Sequence, residues 1–237
     1  GSSHGLAEEG RFCTCLMIEV SGNKYLIDAG APVQDIFINK GWDLKEIKAA
    51  FITHMHDDHI LGLQGLCSHR LYINAPGMKV FYPNSYALEA YKKYAVNILH
   101  FPVDDRIEFS AVDNKSEIYD DGNIKVKAIS TMHINEENGS KAYIIEAEGK
   151  QLLFTGDLKW DDISDYPKVS YEEDFDGVFC EFTHYCIDKQ VERLSKTKTK
   201  KMFFYHVNPY NFNMAPKVLP LLPFPFIVVK DMDVIEF

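Results

Sequence analysis

Nowhere do eighteen apolar residues run consecutively, so no segment of this chain is expected to span a membrane. The opening residues, Gly1-Ser2-Ser3-His4-Gly5, lack the basic and apolar regions of a signal peptide. Cysteine is sparse and odd in number. Cys13, Cys15, Cys67, Cys180 and Cys186 have no framework spacing, which argues against a disulfide scaffold and leads us to expect reduced cytoplasmic thiols. Cys13 and Cys15 alternate with Phe12, Thr14 and Leu16 on a predicted strand, so they read as packing on one face and not as a redox pair. Positive charge is also short: 25 Lys and Arg against 35 Asp and Glu leave a net charge of −10. That balance disfavours a broad phosphate-binding surface and hence a long nucleic acid partner. The main basic run, Lys196, Lys198, Lys200 and Lys201, reads as a solvated segment, close enough in sequence to His206 to assist one phosphate. There is no internal repeat and no linker. At 237 residues and 46% hydrophobic, the chain fits a single domain over 1–237 that buries a full core.

Histidine is scarce as well, nine in all, yet three lie within six residues. Residues 54–59 read His-Met-His-Asp-Asp-His, directly after the apolar run Ala49-Ala50-Phe51-Ile52-Thr53. Two metal ions about 3.5–4 Å apart could use such a cluster to generate a nucleophile from water near neutral pH. His54 and His56, two apart on extended backbone, point the same way and can share one metal. Asp58 and His59 open a predicted helix and face a second. Further metal-competent side chains end later strands: His133 after 125–130, Asp157 after Leu152-Leu153-Phe154-Thr155-Gly156, and His206 after Met202-Phe203-Phe204-Tyr205. Open α/β architectures place their ligands at such strand ends.

This set resembles the metallo-β-lactamase superfamily, and the resemblance runs over nearly the whole chain, most specifically at 45–75 and 123–160. His54, His56, Asp58 and His59 match its second motif, His133 the third, Asp157 the bridging aspartate of the fourth, and His206 the last histidine. The resemblance implies an α/β fold, an αββα sandwich of two mixed sheets flanked by helices. It also implies two divalent metal sites, His54/His56/His133 and Asp58/His59/His206, bridged by Asp157 and a hydroxide. Zinc is the default for this imidazole-rich set, while manganese or iron would suit the carboxylates nearly as well.

Within the superfamily the chain is most similar to ribonuclease Z and related phosphodiesterases. The opening loop with Gly10-Arg11, the Phe51-Ile52-Thr53-His54 and Gly62-Leu63-Gln64-Gly65-Leu66 surroundings, and Glu181-Phe182-Thr183 carry that likeness. The long arm that grips tRNA and the His-Ser-Thr motif of ribonuclease Z are missing, which disfavours tRNA 3′-end processing. Zinc β-lactamases lack an aspartate bridge like Asp157, and flavin-linked di-iron members carry Glu where this chain has His56. Glyoxalase-like thioesterases and lactonases share all seven ligands and remain the alternative to a small anionic phosphodiester. A non-enzymatic binding protein on this fold would be expected to have lost ligands, and none is lost. The expected reaction has Asp58 orient the nucleophile while holding metal. His184, with Glu181 as its partner, protonates the leaving group or holds the oxyanion. A homodimer is left open. Specificity in this superfamily lies in loops, here 30–40, 76–104, 158–175 and 207–225, with Tyr82, Tyr86, Trp160, Tyr166, Tyr210 and Phe212 as a partly aromatic rim.

Periodicity and turn signals predict a hairpin of strands 12–20 and 24–28, a helix near 33–39, a buried strand at 49–53, a helix over 58–66 and a strand at 70–74. A helix over 84–97 follows, then a meander of strands 106–112, 124–130, 141–147 and 151–155. Strands 177–182 and 201–205 flank a helix at 187–194, and 226–230 closes the set.

Overall fold

The structure, a computed structural model, describes residues 1–6, 8–73, 75, 77–101, 106–134 and 138–237. The first sheet is built from β1 (Leu16–Val20), β2 (Asn23–Ile27) and, after helix α1 (Val33–Lys40), β3 (Ile47–Phe51). Two helices follow, α2 (Asp57–Ile60) and α3 (Leu63–Tyr72), then β4 (Met78–Tyr82), α4 (Ser85–Asn97) and β5 (Ile107–Ala111). Only β1–β2 is antiparallel in this sheet; β2 through β5 run parallel. The second sheet takes β6 (Glu117–Asp120), β7 (Ile124–Thr131), β8 (Ser140–Ala147) and β9 (Lys150–Phe154) as an antiparallel meander. After α5 (Val169–Glu172) come β10 (Gly177–Phe182), α6 (Ile187–Leu194), β11 (Met202–Val207), α7 (Pro209–Val218) and β12 (Phe226–Val228), whose strands extend the sheet in parallel.

Three apolar layers hold the αββα sandwich together. Tyr25, Ile27 and Phe51 from the first sheet meet Tyr143, Phe154, Phe179 and Phe203 from the second, all buried. Outside the first sheet, Leu26, Ala50 and Val80 pack on Phe37 of α1, Leu66 of α3 and Tyr91 of α4. Outside the second, Leu153, Val178 and Phe204 pack on Leu194 of α6 and Val218 of α7. Strands buried on both faces read as continuous apolar runs, which explains β10 and β11.

Several sequence expectations change. The predicted strand 70–74 is instead the end of α3, whose buried Leu63, Leu66, Cys67, Arg70 and Leu71 recur at helical spacing; Asn74 lies outside the described residues. The predicted helix 58–66 is two helices with Gly62 between them. A Cβ on Gly62 would lie 2.6 Å from Val33 Cγ1 and 2.8 Å from the Ala29 carbonyl, so the chain can approach that closely only as glycine. Residues 107–111 leave the meander for the first sheet, pairing in parallel with β4. The first strand starts at Leu16, so Cys13 and Cys15 precede it; all five cysteines are free thiols. The loops at 30–40 and 207–225 carry α1 and α7, and 76–104 carries β4 and α4, with 76 and 102–104 outside the described residues. No helix among the described residues is long and apolar enough to cross a membrane.

Candidate metal centre

Both sheets deliver polar side chains to one edge of the sandwich. His54 follows β3, and His56 precedes α2, which carries Asp58 and His59. His133 follows β7, Asp157 follows β9, Glu181 and His184 lie at the end of β10, and His206 lies near the end of β11. Two backbone devices aim them. Gly156 turns at φ 59°, where a Cβ would meet the Lys141 carbonyl at 2.5 Å, and this places Asp157 beneath the cluster. His206 has φ 53° and is skipped by the β10–β11 ladder, which pairs Glu181 with Tyr205 and Phe182 with Val207. Such a bulge re-aims one side chain, and a non-glycine residue in the left-handed region costs roughly 1 kcal/mol or more.

All seven predicted ligands come together. Asp157 Oδ2 stands 3.6 Å from His54 Nε2, 3.4 Å from His59 Nε2, 3.8 Å from His133 Nε2 and 3.3 Å from His206 Nε2. His56 Nδ1 lies 3.0 Å from His54 Nε2 and 3.2 Å from His133 Nε2. Asp58 Oδ2 is 3.1 Å from His59 Nε2. The groupings able to hold an ion are His54/His56/His133, Asp58/His59/His206, His54/His59/Asp157 and His133/Asp157/His184.

The donor set fits divalent cations. Ligand atoms of a tetrahedral zinc at about 2.0–2.1 Å stand about 3.3 Å apart, close to the spacings here. The imidazoles are also oriented for it. His59 Nδ1 donates to Asp28 Oδ2 at 2.7 Å, His133 Nδ1 to the Leu158 carbonyl at 3.0 Å, and His206 Nδ1 to the Ser3 carbonyl at 2.7 Å. Thr53 Oγ1 donates to Asp28 and accepts from His54 Nδ1 at 3.0 Å. In each ring Nε2 is left as a lone pair facing the cluster, the arrangement that supports a metal-bound histidine. Asp58 Oδ2, His59 Nε2 and Asp157 Oδ1 are buried without a hydrogen-bond partner, a costly state unless a cation completes it.

The charges balance around Asp157. Burial alone would raise its pKa, but His206, His59 and His54 hold it well below the usual carboxylate range. Burial pushes the His54 pKa well down, with His59 adding to the effect. For His184, burial works downward, yet the Glu181 carboxylate and then Asp157 raise it to about 9. Its Nδ1 is 3.2 Å from Glu181 Oε1 and 3.7 Å from Asp157 Oδ2. Glu181 is fully buried and also accepts the backbone N–H groups of Leu158, Thr183 and His184, so it ties together the segments that follow β9 and β10.

Asp28, behind His59 and Thr53, was not singled out from sequence. The signal was there: a carboxylate ending the apolar strand Tyr25-Leu26-Ile27, the same context as Asp157. The basic run is the converse. Lys201 precedes β11 while His206 is near its far end, five residues or about 16 Å along the strand. Lys196 pairs with Glu192 and Lys200 with Asp176, so the run is a solvated segment remote from the centre and helps no phosphate there. Of the predicted aromatic rim, Tyr82 and Tyr166 are core residues.

Solved structures share this fold. The metallo-beta-lactamase fold protein YhfI from Bacillus subtilis superposes with a TM-score of 0.77 at 13% identity, covering 97% of this chain and 94% of that one. Human tRNase Z, short form, gives 0.72 at 16% identity over 100% and 96%. A diphosphatase from the PhnP family gives 0.70 at 21% identity over 95% and 85%. In sequence, ribonuclease Z of Shouchella clausii (strain KSM-K16) is 32% identical over 158 residues, 63% of this chain and 47% of that protein. Ribonuclease Z of Clostridium botulinum (strain Alaska E43 / Type E3) is 37% identical over 68 residues, 29% and 22% of the two chains. The chain thus spans less than half the length of these ribonucleases. A single family model, described as Anti-Pycsar protein Apyc1, matches residues 1–218, and the chain belongs to that family.

Proposed function

We propose that the chain is a dinuclear metal hydrolase that cleaves a small phosphodiester. The observation that carries this reading is the convergence of four imidazole Nε2 atoms within 3.3–3.8 Å of Asp157 Oδ2, each on a ring whose Nδ1 already has a partner. Two divalent ions, zinc by default and manganese or iron as substitutes, would supply an activated water and a Lewis acid for the oxygen that gains charge. His54, His56 and His133 would hold one, Asp58, His59 and His206 the other, and Asp157 both.

The protein's own groups then divide the remaining work. Asp58 keeps an unpartnered Oδ2 facing the cluster and orients the attacking water. His184 keeps Nδ1–H on Glu181 and has Nε2 available to give a proton to the leaving oxygen. Despite burial, Glu181 and Asp157 raise its pKa, which favours the protonated ring such a donor needs. Relatives favour phosphorus over acyl chemistry: ribonuclease Z, the PhnP-family diphosphatase and yeast PDE1 all appear among them. The net charge of −10 and the remoteness of the basic run favour a small substrate over a long polyanion.

The test is kcat/KM of the zinc- or manganese-loaded protein on matched panels: bis(p-nitrophenyl) phosphate, 3′,5′-cyclic nucleotides, precursor tRNA, acyl-glutathione and a lactone. Phosphodiester turnover is expected to lead. An acyl-glutathione or lactone turned over ~100 times faster than any phosphodiester, or efficient cleavage of precursor tRNA, would overturn it.

A further inference from the structure

The chain has two tryptophans and uses them in opposite ways. Trp42 packs edge-on against Phe37 at 5.4 Å in the layer under the first sheet. Trp160 is 63% exposed, three residues after Asp157, with its ring 5.3 Å from that of His184 and inclined by 68°. Of the aromatic residues in the loops, it alone among the described residues pairs exposure with a ring contact to a histidine of the site.

Its backbone is held on both sides. Lys159 N–H donates to Asp165 Oδ1 at 2.9 Å, and Asp161 N–H donates to the His184 carbonyl at 2.7 Å. Arg193 Nη1 reaches the Ile163 carbonyl at 2.7 Å, and the Asp165 carboxylate also accepts Met132 N–H at 2.6 Å beside His133. Asp161 at φ 71° and Ile163 at φ 39° are kept in the left-handed region by these contacts, a costly conformation for a β-branched residue. The fold therefore fixes the segment that presents an apolar ring to solvent at the mouth of the site. A fixed aromatic there loses little conformational freedom when a flat group covers it.

We infer that Trp160 is a stacking platform for a planar heteroaromatic ring carried by the substrate next to its scissile phosphate. The inference rests on the phosphodiesterase reading and adds the residue that selects among phosphodiesters. The indole ring lies 5.3 Å from the His184 ring, so a substituent a few bonds from a phosphorus held beside His184 would reach it. Stacking of one ring on an aromatic side chain is worth about five- to 150-fold in affinity and tolerates different ring chemistries.

Calorimetry on the zinc-loaded protein tests this without turnover, using uridine 5′-monophosphate and ribose 5-phosphate as probes that differ in the heteroaromatic ring. The nucleotide is expected to bind about tenfold tighter. Trp160→Ala should shrink that gap to under about twofold, and Trp160→Phe should keep most of it. No gap in the unsubstituted protein, a gap that survives Trp160→Ala, or an equal weakening of both probes would overturn the inference; the last would make Trp160 a prop for His184. Hydrolysis of phosphodiesters without the gap would remove this inference and leave the proposed function standing. A Trp160-dependent gap in a protein that hydrolyses no phosphodiester would overturn the proposed function and leave only the stacking contact, without a scissile phosphate beside it.

Discussion

The two halves of the candidate cluster differ in their donors and in what stands behind them. His54, His56 and His133 form an all-imidazole half that opens to solvent: His56 is exposed and His133 half-buried. Asp58, His59 and His206 form a buried half with its own carboxylate and a second, Asp28, behind His59. Electrostatics follow that division. Burial pushes His54 and His133 down. It pushes His59 down too, but there Asp157 and Asp28 outweigh it and the pKa rises well above the usual value. With the Asp28 and Asp58 carboxylates 2.7 and 3.1 Å from the His59 ring, the buried half is a site of negative potential and should draw a cation more strongly. The buried half should therefore grip its ion, while the open half holds one that exchanges with solvent and faces substrate.

Removing the residue common to both halves should have the largest effect. Asp157→Ala is expected to lower kcat/KM by roughly 10³-fold or more and to leave fewer than two metals per chain, with circular dichroism unchanged. The side chain sits past the end of β9, so its loss should disturb the ions more than the core. Global unfolding of this variant would make the metals structural instead. Elemental analysis returning one ion or none from the unsubstituted protein, after reconstitution with excess zinc, would dissolve the comparison altogether.

Asp28→Asn should separate the halves. Asp28 accepts from His59 Nδ1, Thr53 N–H and Thr53 Oγ1, and an amide at that position has one oxygen for three donors. Facing an N–H₂ group, His59 would move its proton to Nε2 and lose the lone pair that binds metal. Affinity of the buried half should fall about 10–100-fold, with the open half unchanged. Spectroscopic titration with cobalt distinguishes one weakened step from two. Equal weakening of both steps would mean that the halves are not independent.

The smaller intrinsic difference should appear in the unsubstituted protein. Graded chelation is expected to remove one ion about tenfold more readily than the other, and His56→Ala should eliminate the weaker step. If His56→Ala instead abolishes the tighter step, exposure is a poor guide to affinity here.

The clustering of these side chains was legible because it is local chemistry at strand ends, repeated with one order and spacing. What stood behind it was less so. Asp28 ends an apolar strand as Asp157 does, but its role is set only when β2 pairs with β3 and brings its end beside Thr53. β4 is Met78-Lys79-Val80-Phe81-Tyr82, a short run buried on both faces, and the neighbouring 70–74 offered a more strand-like mixture of aromatic and β-branched residues. Tertiary packing decided between them, since Arg70 and Leu71 complete the buried face of α3. Helix α7 was hidden by its prolines: Pro209 at the first turn suits a helix start, but Pro216 inside it signals a break. The basic run is the solvated segment its sequence suggested; only its nearness to His206 fails, because closeness in sequence is not closeness in space along an extended strand.

Lys141 offers the smallest expected effect on activity, and it lies outside both halves. It is a buried lysine on β8 whose Nζ donates to the Asp113 carbonyl, Ser130 Oγ at 2.8 Å and Asn138 Oδ1 at 3.1 Å. Burial lowers its pKa to about 8, with Asp113 pulling the other way. Below pH 8 the lysine is protonated whether the chain is folded or not, so it contributes no pH dependence. Between pH 8 and 10.5 the unfolded chain keeps the proton that the folded chain has released, so stability rises with pH across that window. The stability of the unsubstituted protein minus that of Lys141→Met should therefore be flat below pH 8 and grow by on the order of 1–2 kcal/mol toward pH 10.5. Paired urea titrations at pH 7, 9 and 10.5 cancel the tyrosines and the other lysines common to both chains. A flat difference would mean that Lys141 keeps its charge in the fold, held there by its three oxygens. Because Nζ ties Ser130 to Asn138 on either side of His133, a flat result would also predict that Lys141→Met loosens the open half and leaves the buried one alone.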